Sequence, residues 1–399
     1  MDATISKTMM TPTSAVDAGN SPPAPKPPPL VNLAFNPFST RFLASTATGL
    51  HVFSCFNSFH KIISRDVVDA EVSSNNNGGW KVVMADIYNE TFAAVVFRRP
   101  KDNNNSNGKT EFTDKICFWV VPNGRIYPMG KDLPFDVVTG IRLTGEHMVV
   151  AGEERTALYE IPHHGSPPKK VKVVETAANP LGLAAVAQSA SPFVMVSPHK
   201  MKGVLQIHRL GLAEEHVCVR AHCSAVAAFA LSDDGRLLAT AGKKGTLVRI
   251  FNTSDGKLLQ ELRRGVDRAD IYSIVFSTDS KWLAVSSNKG TVHVFHTNIE
   301  LESSSKESNQ DATEAPAAKA ANQGYVSYMK GYFFPKYFKP QKSLAQFHLP
   351  EGKIYLVVFG TRPNTILIIG MDGRFYRCQF DPIEPGDMRQ LEYRNFLYM

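Results

Sequence analysis

The composition of this chain limits the classes of protein to which it can belong. Its 399 residues are 43% hydrophobic and 10% aromatic, enough to form a substantial core, which excludes a disordered polymer. A net charge of +7 favours acidic partners such as phospholipid headgroups or nucleic acid, without choosing between them. The five cysteines are dispersed, so they predict neither a disulfide framework nor a zinc site. The sequence contains no apolar run of about 18 residues, the length that would predict a membrane span. We therefore expect a globular, cytoplasmic protein.

The N-terminal segment differs in composition from the rest of the chain. Residues 1–29 are polar and end in SPPAPKPPP, which predicts a disordered Pro-rich arm. From Leu30 onward, short apolar runs alternate with turn dipeptides such as Asp234-Gly235 and Asp372-Gly373. Because no long segment with helical periodicity interrupts this pattern, the sequence predicts an all-β fold.

An internal repeat indicates the architecture. The string GRLLATAGKKGTLVRIF (235–251) resembles SKWLAVSSNKGTVHVF (280–295), and Phe251 and Phe295 lie 44 residues apart. A period of about 40 to 45 residues with several strands per unit is typical of a propeller blade. With weaker copies elsewhere, residues 30–399 predict a seven-bladed β-propeller of the WD-repeat type.

Two segments are longer than ordinary blade connections, namely 98–115 and 298–341, the latter inside blade six. The end of the second, YVSYMKGYFFPKYFKPQK (325–342), holds seven aromatic residues and four lysines but no acid. Such a composition favours a loop that inserts at a bilayer interface, with rings at headgroup depth and ammonium groups near anionic lipid. Two alternatives remain open: the rings pack back onto the propeller, or they stack on RNA bases.

Catalysis has little support in the sequence. There is no G-x-S-x-G elbow, no phosphate-binding G-x-x-x-x-G-K-[ST] loop and no H-E-x-x-H motif. The pair His163-His164 lies in a polar loop, where a solvated surface pair is a better interpretation than a metal site. We predict that the protein is not an enzyme and uses neither a cofactor nor a metal.

Basic and hydroxyl residues gather in the two units that flank Arg263-Arg264. They are residues of the types that bind phosphate: Arg220, His222, Ser224, Lys243, Lys244, Thr246 and Arg249 in one group, and Ser286, Ser287, Lys289, Thr291 and His293 in the other. Successive side chains of a strand point to opposite faces, so the two arginines predict two anion sites. A solvated salt-bridge cluster with Asp267 and Asp270 is the alternative, and Lys-Gly-Thr in both repeats is equally compatible with a simple turn.

These residues also carry a resemblance to a known family. LRRG (262–265), preceded by LATAGKKGTLVRIF and followed by LAVSSNKGTVHVF, closely resembles the PROPPINs, as does YMKGYFFPKYF (328–338) after a long loop. PROPPINs are seven-bladed β-propellers of the autophagy-related protein 18 (WIPI) type that bind polyphosphoinositides in autophagy. One departure concerns Gly242 and Lys243, where the family usually has Ser and then Glu.

The resemblance implies two headgroup sites and an inserting loop. The first site comprises His222, Thr246, Arg249 and Arg263. The second comprises Arg264, Ser286, Ser287, Thr291 and His293. The inserting residues of the loop are Tyr332, Phe333, Phe334, Tyr337 and Phe338.

The resemblance also implies a function. We expect a peripheral membrane effector that recognises phosphatidylinositol 3-phosphate and phosphatidylinositol 3,5-bisphosphate on an anionic membrane surface and acts in autophagosome formation. It implies the autophagy lipid-transfer protein of the family's usual complex as a partner, no nucleic acid, and a location on preautophagosomal, endosomal and vacuolar membranes. The alternative is a WD-type protein scaffold without lipid binding.

Overall fold

The apolar runs of the sequence form strands. The structure, a computed structural model, describes residues 27–67, 79–101, 110–130, 133–161, 167–211, 216–299 and 340–399. Within these ranges thirty strands form seven sheets, and the helical elements there are two short 3-10 turns, Val121–Asn123 and Phe396–Tyr398. The prediction of an all-β, seven-bladed propeller is confirmed.

Each of the first four blades is one antiparallel sheet of four consecutive strands. Blade one contains β1 Leu30–Phe35, β2 Arg41–Thr46, β3 Gly49–Ser54 and β4 His60–Asp66. Blade two contains β5 Lys81–Ile87, β6 Phe92–Pro100, β7 Phe112–Val120 and β8 Arg125–Pro128. Blade three contains β9 Val138–Leu143, β10 His147–Gly152, β11 Arg155–Glu160 and β12 Lys169–Glu175. Blade four contains β13 Ala185–Val186, β14 Val194–Pro198, β15 Val204–Arg209 and β16 His216–Arg220.

The last three blades include two short additional strands. Blade five contains β17 Val226–Leu231, β18 Leu237–Gly242, β19 Leu247–Asn252 and β20 Leu258–Arg263, extended by the parallel β24 Gln341–Lys342. Blade six contains β21 Ile271–Phe276, β22 Trp282–Ser287, β23 Thr291–His296 and β25 Ala345–His348, extended by the parallel β29 Gly386–Asp387. Blade seven contains β26 Tyr355–Phe359, β27 Thr365–Gly370, β28 Arg374–Gln379 and β30 Arg389–Asn395.

Continuous apolar runs form the middle strands because both faces of each blade are covered. In β18, for example, Leu237, Ala239 and Ala241 pack between blades five and six, whereas Leu238 packs between blades four and five. Seven such clusters, one at each junction of adjacent blades, make up the core. Alternation along a strand therefore identifies the neighbouring blade that a side chain faces.

The seven blades surround a central channel of about 510 Å³, which is lined by the innermost strand of each blade. The propeller closes by side-chain packing between blades seven and one, because β30 pairs with β28 of its own blade. The ring of Phe42 lies 4.9 Å from that of Phe53 and 5.1 Å from that of Phe396 (centroid to centroid). Arg377 adds a hydrogen bond of 2.8 Å from its guanidinium to the carbonyl oxygen of Cys55.

The structure changes the expectation for the segment 98–115. Strands β6 and β7 extend into it, and Arg98 pairs with Asp114 in register, so the connection is an extended hairpin with a shorter loop. Of the predicted arm, residues 1–26 lie outside the described residues. Within the described ranges there is no helix with the length and hydropathy that a membrane span requires.

Candidate functional site on blades five and six

The two Lys-Gly turns of the repeat hold the site in shape. Gly245 and Gly290 have φ angles of +62° and +64°, a region that favours glycine. A Cβ atom on Gly245 would lie 1.9 Å from the carbonyl oxygen of Ala269, and one on Gly290 would lie 2.2 Å from that of Leu349. Each turn therefore presses against the connection to the next blade. Both Lys-Gly segments form turns that lead into a strand.

Arg263 and Arg264 lie on different faces of blade five. Leu262 packs into the cluster between blades five and six, so Arg263, the next residue of β20, belongs to the face toward blade four. Arg263 is exposed, whereas Arg264 is only 8% exposed. The two adjacent cations thus have different environments.

Arg264 is held at the junction with blade six. Its Nε donates to the carbonyl oxygen of Gly245 at 2.9 Å, and its Nη2 donates to the carbonyl oxygen of Asp267. Neither Arg263 nor Arg264 has an ion pair within 4.0 Å of another described residue, but the charge of Asp267 opposes the lowering of the pKa of Arg264 that burial causes.

The first predicted site gathers on the face toward blade four. A ring nitrogen of His222 is hydrogen-bonded to the hydroxyl of Thr240 at 3.0 Å. Arg249 reaches the segment before His222, because its Nη1 donates to the carbonyl oxygen of Ala221 at 2.8 Å. Thr246 directly precedes β19, and its backbone carbonyl oxygen accepts the N–H of Arg264.

Sequence reasoning missed the carboxylate of this site. The Nε of Arg249 donates to Oε2 of Glu261 at 2.8 Å, and the two side chains are 14% and 15% exposed. The pair lies cross-strand, Arg249 on β19 and Glu261 on β20. The positive charge of Arg249 is thereby compensated, which leaves Arg263 as the exposed arginine on this face.

Gly242 is required by the packing around His222. A Cβ atom at position 242 would lie 2.8 Å from the hydroxyl oxygen of Ser224 and 2.9 Å from the ring of His222. Ser224 therefore supplies a hydroxyl next to the space in which the family's usual serine would begin. This hydroxyl has partners of its own, because it accepts the N–H of Lys243 at 3.1 Å and donates to the carbonyl oxygen of Ala225 at 3.2 Å.

The second predicted site divides between two faces of blade six. On β22, Leu283 and Val285 pack toward blade five, so Ser287 shares that face, as do Thr291 and His293 on β23. Ser286 faces blade seven instead. Its hydroxyl donates to the carbonyl oxygen of Tyr355 at 2.6 Å. The structure thus brings Ser287, Thr291 and His293 together and separates Ser286 from them.

Two residues after the long loop complete this face, and sequence reasoning missed them. A ring nitrogen of His293 is hydrogen-bonded to the hydroxyl of Ser343 at 3.2 Å, and Gln346 donates to the same hydroxyl at 3.2 Å. The hydroxyl of Ser287 is buried and has no partner among the described residues. An unpaired buried hydroxyl at this position is consistent with a binding site for a polar ligand.

The two histidines are neutral near pH 7. Burial, followed by the positive charge of Arg249, lowers the pKa of His222 to about 4. Burial, followed by the charge of Arg264, lowers the pKa of His293 to about 4. Each neutral ring therefore offers one N–H donor.

The predicted inserting residues Tyr332, Phe333, Phe334, Tyr337 and Phe338 lie outside the described residues. The structure does describe both ends of the segment that contains them. Asn298 and Gln341 meet there, with the side-chain amide of Asn298 donating to Oε1 of Gln341 at 3.2 Å. The segment therefore leaves and re-enters the propeller beside blade five.

Comparison with known proteins assigns the family. The PROPPIN family model matches residues 135–327. Autophagy-related protein 18e of Arabidopsis thaliana is 34% identical over 368 residues, covering 92% of this chain and 88% of the relative. The chain belongs to the PROPPIN family. SVP1-like protein 2 of Emericella nidulans is 36% identical over 271 residues, which cover 62% of this PROPPIN and 81% of that relative.

Solved structures show the same fold. Kluyveromyces lactis Hsv2 with its complete loop 6CD has a TM-score of 0.66 to this PROPPIN at 18% sequence identity, covering 92% of this chain and 99% of that one. KlAtg21, in a complex with the coiled coil of AgAtg16, has the same TM-score, identity and coverage. Similarity at this identity supports the propeller fold alone.

Proposed function

We propose that this PROPPIN is a peripheral membrane effector that binds phosphatidylinositol 3-phosphate and phosphatidylinositol 3,5-bisphosphate through two rim sites. The observation that carries the proposal is the separation of Arg263 and Arg264 onto opposite faces of blade five. The charge of Arg264 acts on the buried His293, and the buried His222 and the hydroxyl of Thr240 lie on the blade-four face that also carries Arg263. Arginine, neutral imidazole N–H and hydroxyl groups together are suitable ligands for a phosphate monoester.

Binding to a membrane would combine several weak contacts. Two headgroup sites on one rim, together with the aromatic loop that ends at Gln341, act at high effective concentration on one surface. Such linkage raises affinity by about 10² to 10⁴ over a single site. Lysines of the loop add attraction to an anionic membrane surface. Lipid recognition is therefore a property of the whole rim rather than of one pocket.

The biological setting follows from the family. The relatives named above include an autophagy-related protein, so we assign this protein to autophagosome formation. We expect it in the cytoplasm and on preautophagosomal, endosomal and vacuolar membranes, with the family's lipid-transfer protein as a partner. No catalytic step is part of the proposal.

Flotation with liposomes tests the proposal. Wild type should float with vesicles that contain phosphatidylinositol 3-phosphate. With vesicles that lack this lipid it should remain in the bottom fraction of the gradient. The double variant Arg263→Thr/Arg264→Thr should lose this lipid-dependent flotation. Arg362→Thr, an exposed arginine on blade seven, is the control and should float like wild type. A wild type that does not float would favour the scaffold function instead.

A further inference from the structure

Lys342 lies beside Arg263 through an unusual strand pairing. The short strand β24 runs parallel to β20, with Leu262 paired to Gln341 and Arg263 paired to Lys342. Directly paired residues of neighbouring strands project from the same face of a sheet. Arg263 and Lys342 therefore share the face toward blade four, the face of the first predicted site.

This pairing brings two positive charges together. Both side chains are exposed, and neither has a hydrogen bond or ion pair with another described residue. Like charges directly opposite each other destabilise a pair of strands. Glu261, which precedes Arg263 by two residues on this face of β20, is already bonded to Arg249. The arrangement is thus open to an anion from outside the chain.

A set of hydrogen bonds on the other face holds β24 in place. The side-chain amide of Gln260 donates to Oε1 of Gln341 at 2.7 Å and to the carbonyl oxygen of His296 at 3.3 Å. The N–H of Asn298 donates to Oε1 of Gln260 at 3.3 Å, and its side-chain amide donates to Oε1 of Gln341. Gln260 is only 9% exposed, so its own bonds are partly shielded from water, whereas the bond from Asn298 to Gln341 is exposed. We refer to Gln260, Asn298 and Gln341 as the amide clasp.

We propose that Lys342 is an additional cation of the first anion site, where it binds the same phosphate group as Arg263, and that the amide clasp positions it. This inference rests on the proposed function of the rim. Arginine supplies a forked donor and lysine a compact point charge, so the pair can neutralise a phosphate monoester on inositol. A single residue after the long loop thereby becomes part of the headgroup site.

The test measures affinity for vesicles with phosphatidylinositol 3-phosphate and for soluble inositol 1,3-bisphosphate. Lys342→Ala should weaken both by about 3- to 30-fold, as expected for one charged hydrogen-bonding partner. Lys342→Arg should restore most of the affinity. Lys81→Ala, an exposed lysine on blade two, is the matched control and should change neither.

Weak binding to vesicles of phosphatidylserine separates the site from general attraction to the membrane. Lys342→Ala should weaken this binding less than it weakens binding to vesicles with phosphatidylinositol 3-phosphate, because only the loss of general charge attraction applies. An equal loss on phosphatidylserine vesicles, or an unchanged affinity for inositol 1,3-bisphosphate, would overturn the assignment of Lys342 to the site.

The positioning role needs its own measurement. Gln260→Leu should weaken binding of the soluble headgroup, but it should have no further effect in the Lys342→Ala background, because both changes remove the same contact. Additive losses would overturn the role of the clasp.

If wild type binds and Arg263→Ala abolishes binding while Lys342→Ala does not, only this inference fails. If wild type binds no headgroup, the proposed function fails with it.

Discussion

Arg263 and Arg264 are adjacent in the chain, yet one is exposed on the blade-four face of blade five and the other is buried against blade six. Arg264 donates to the carbonyl oxygens of Gly245 and Asp267, whereas Arg263 has no such partner among the described residues. Both arginines are candidate ligands for an anion, but of the two only Arg264 also stabilises the described fold, through its two bonds to carbonyl oxygens. The two residues should therefore respond differently to the same substitution.

The first prediction compares Arg263→Ala with Arg264→Ala. Arg263→Ala should change the free energy of unfolding by less than about 0.5 kcal/mol, because an exposed side chain without partners is removed. Arg264→Ala should lower it by about 1 to 3 kcal/mol, because two carbonyl oxygens at the junction of blades five and six lose their donor. Urea denaturation measures both values, and liposome flotation measures the loss of lipid binding. Equal losses of stability would contradict the assigned difference in role.

The blade pattern was accessible to sequence reasoning because it depends on local chemistry. The spacing of Phe251 and Phe295 and the two Lys-Gly turns predicted equivalent strands, and the structure contains them. Alternation along one strand likewise predicted that Arg263 and Arg264 face apart. These features need no knowledge of distant contacts.

Other parts of the candidate site depend on contacts that leave no local pattern. Strand β24 has only two residues and pairs with β20 across 79 positions of sequence, from Arg263 to Lys342. The partner of Arg249 is Glu261 on the next strand, which reads as an ordinary surface acid in the sequence. The orientation of Ser286 toward Tyr355 depends on the register of β22, which a run of apolar and small residues does not reveal.

The second prediction concerns Glu261→Gln. The substitution keeps the shape of the side chain but removes the negative charge beside Arg249, so the first site becomes more positive. We expect tighter binding of inositol 1,3-bisphosphate, by about 3- to 10-fold, and a modest loss of stability because the ion pair is lost. Isothermal titration calorimetry measures the affinity. Weaker binding would indicate that Glu261 holds Arg249 in the geometry that binding needs.

The third prediction concerns Gly242→Ala. The added methyl group would approach Ser224 and the ring of His222 closer than normal contact distances, so we expect a loss of about 1 to 3 kcal/mol in the free energy of unfolding. The double variant Gly242→Ala/Ser224→Ala should recover part of this loss, because it removes one of the two obstructing groups. Gly265→Ala is the control, because no atom lies within 4 Å of its added Cβ. A loss at Gly242 that Ser224→Ala does not relieve would identify the His222 ring as the sole obstruction.

The fourth prediction concerns pH. Burial lowers the pKa values of His208, His222 and His293 to about 4, below the value of about 6.5 in an unfolded chain. Between these two pH values the unfolded state binds more protons than the folded state. The stability that the three neutral histidines contribute should therefore be fully present above about pH 6.5 and decrease as the pH falls toward 4. Each unit of pKa difference corresponds to about 1.4 kcal/mol.

One buried carboxyl group opposes this trend. Burial raises the pKa of Asp86 to about 6, so its contribution to stability is lost as the pH rises from about 4 to 6. The three histidines should outweigh it. Urea denaturation of wild type and of His208→Gln at pH 7 and pH 5 separates the effects. The variant should have the shallower dependence, and an identical dependence in both proteins would show that His208 does not titrate in this range.

The fifth prediction concerns closure of the ring. Arg377 is 3% exposed, donates to the carbonyl oxygen of Cys55 in blade one, and is paired with Glu392 of β30 at 3.2 Å. Arg377→Met keeps most of the side-chain volume but leaves Oε2 of Glu392 and the carbonyl oxygen of Cys55 without the donor that Arg377 supplies, while Oε1 of Glu392 keeps its bond from Arg394. We expect a loss of about 2 to 4 kcal/mol in the free energy of unfolding, measured by urea denaturation.

Arg394 provides the matched control for the closure of the propeller, because it pairs with the same carboxylate, that of Glu392. Arg394 also pairs with Glu392, at 3.3 Å, but its side chain is 55% exposed. Arg394→Met should therefore cost no more than about 1 kcal/mol, as exposed ion pairs do. Similar losses in the two variants would mean that Glu392 governs both effects and that the bond from Arg377 to Cys55 adds little. A much larger loss for Arg377→Met would show that the bond from Arg377 to Cys55 is a main contact between blades seven and one. No strand of either blade pairs with the other blade in the described residues, so side-chain contacts of this kind must close the propeller.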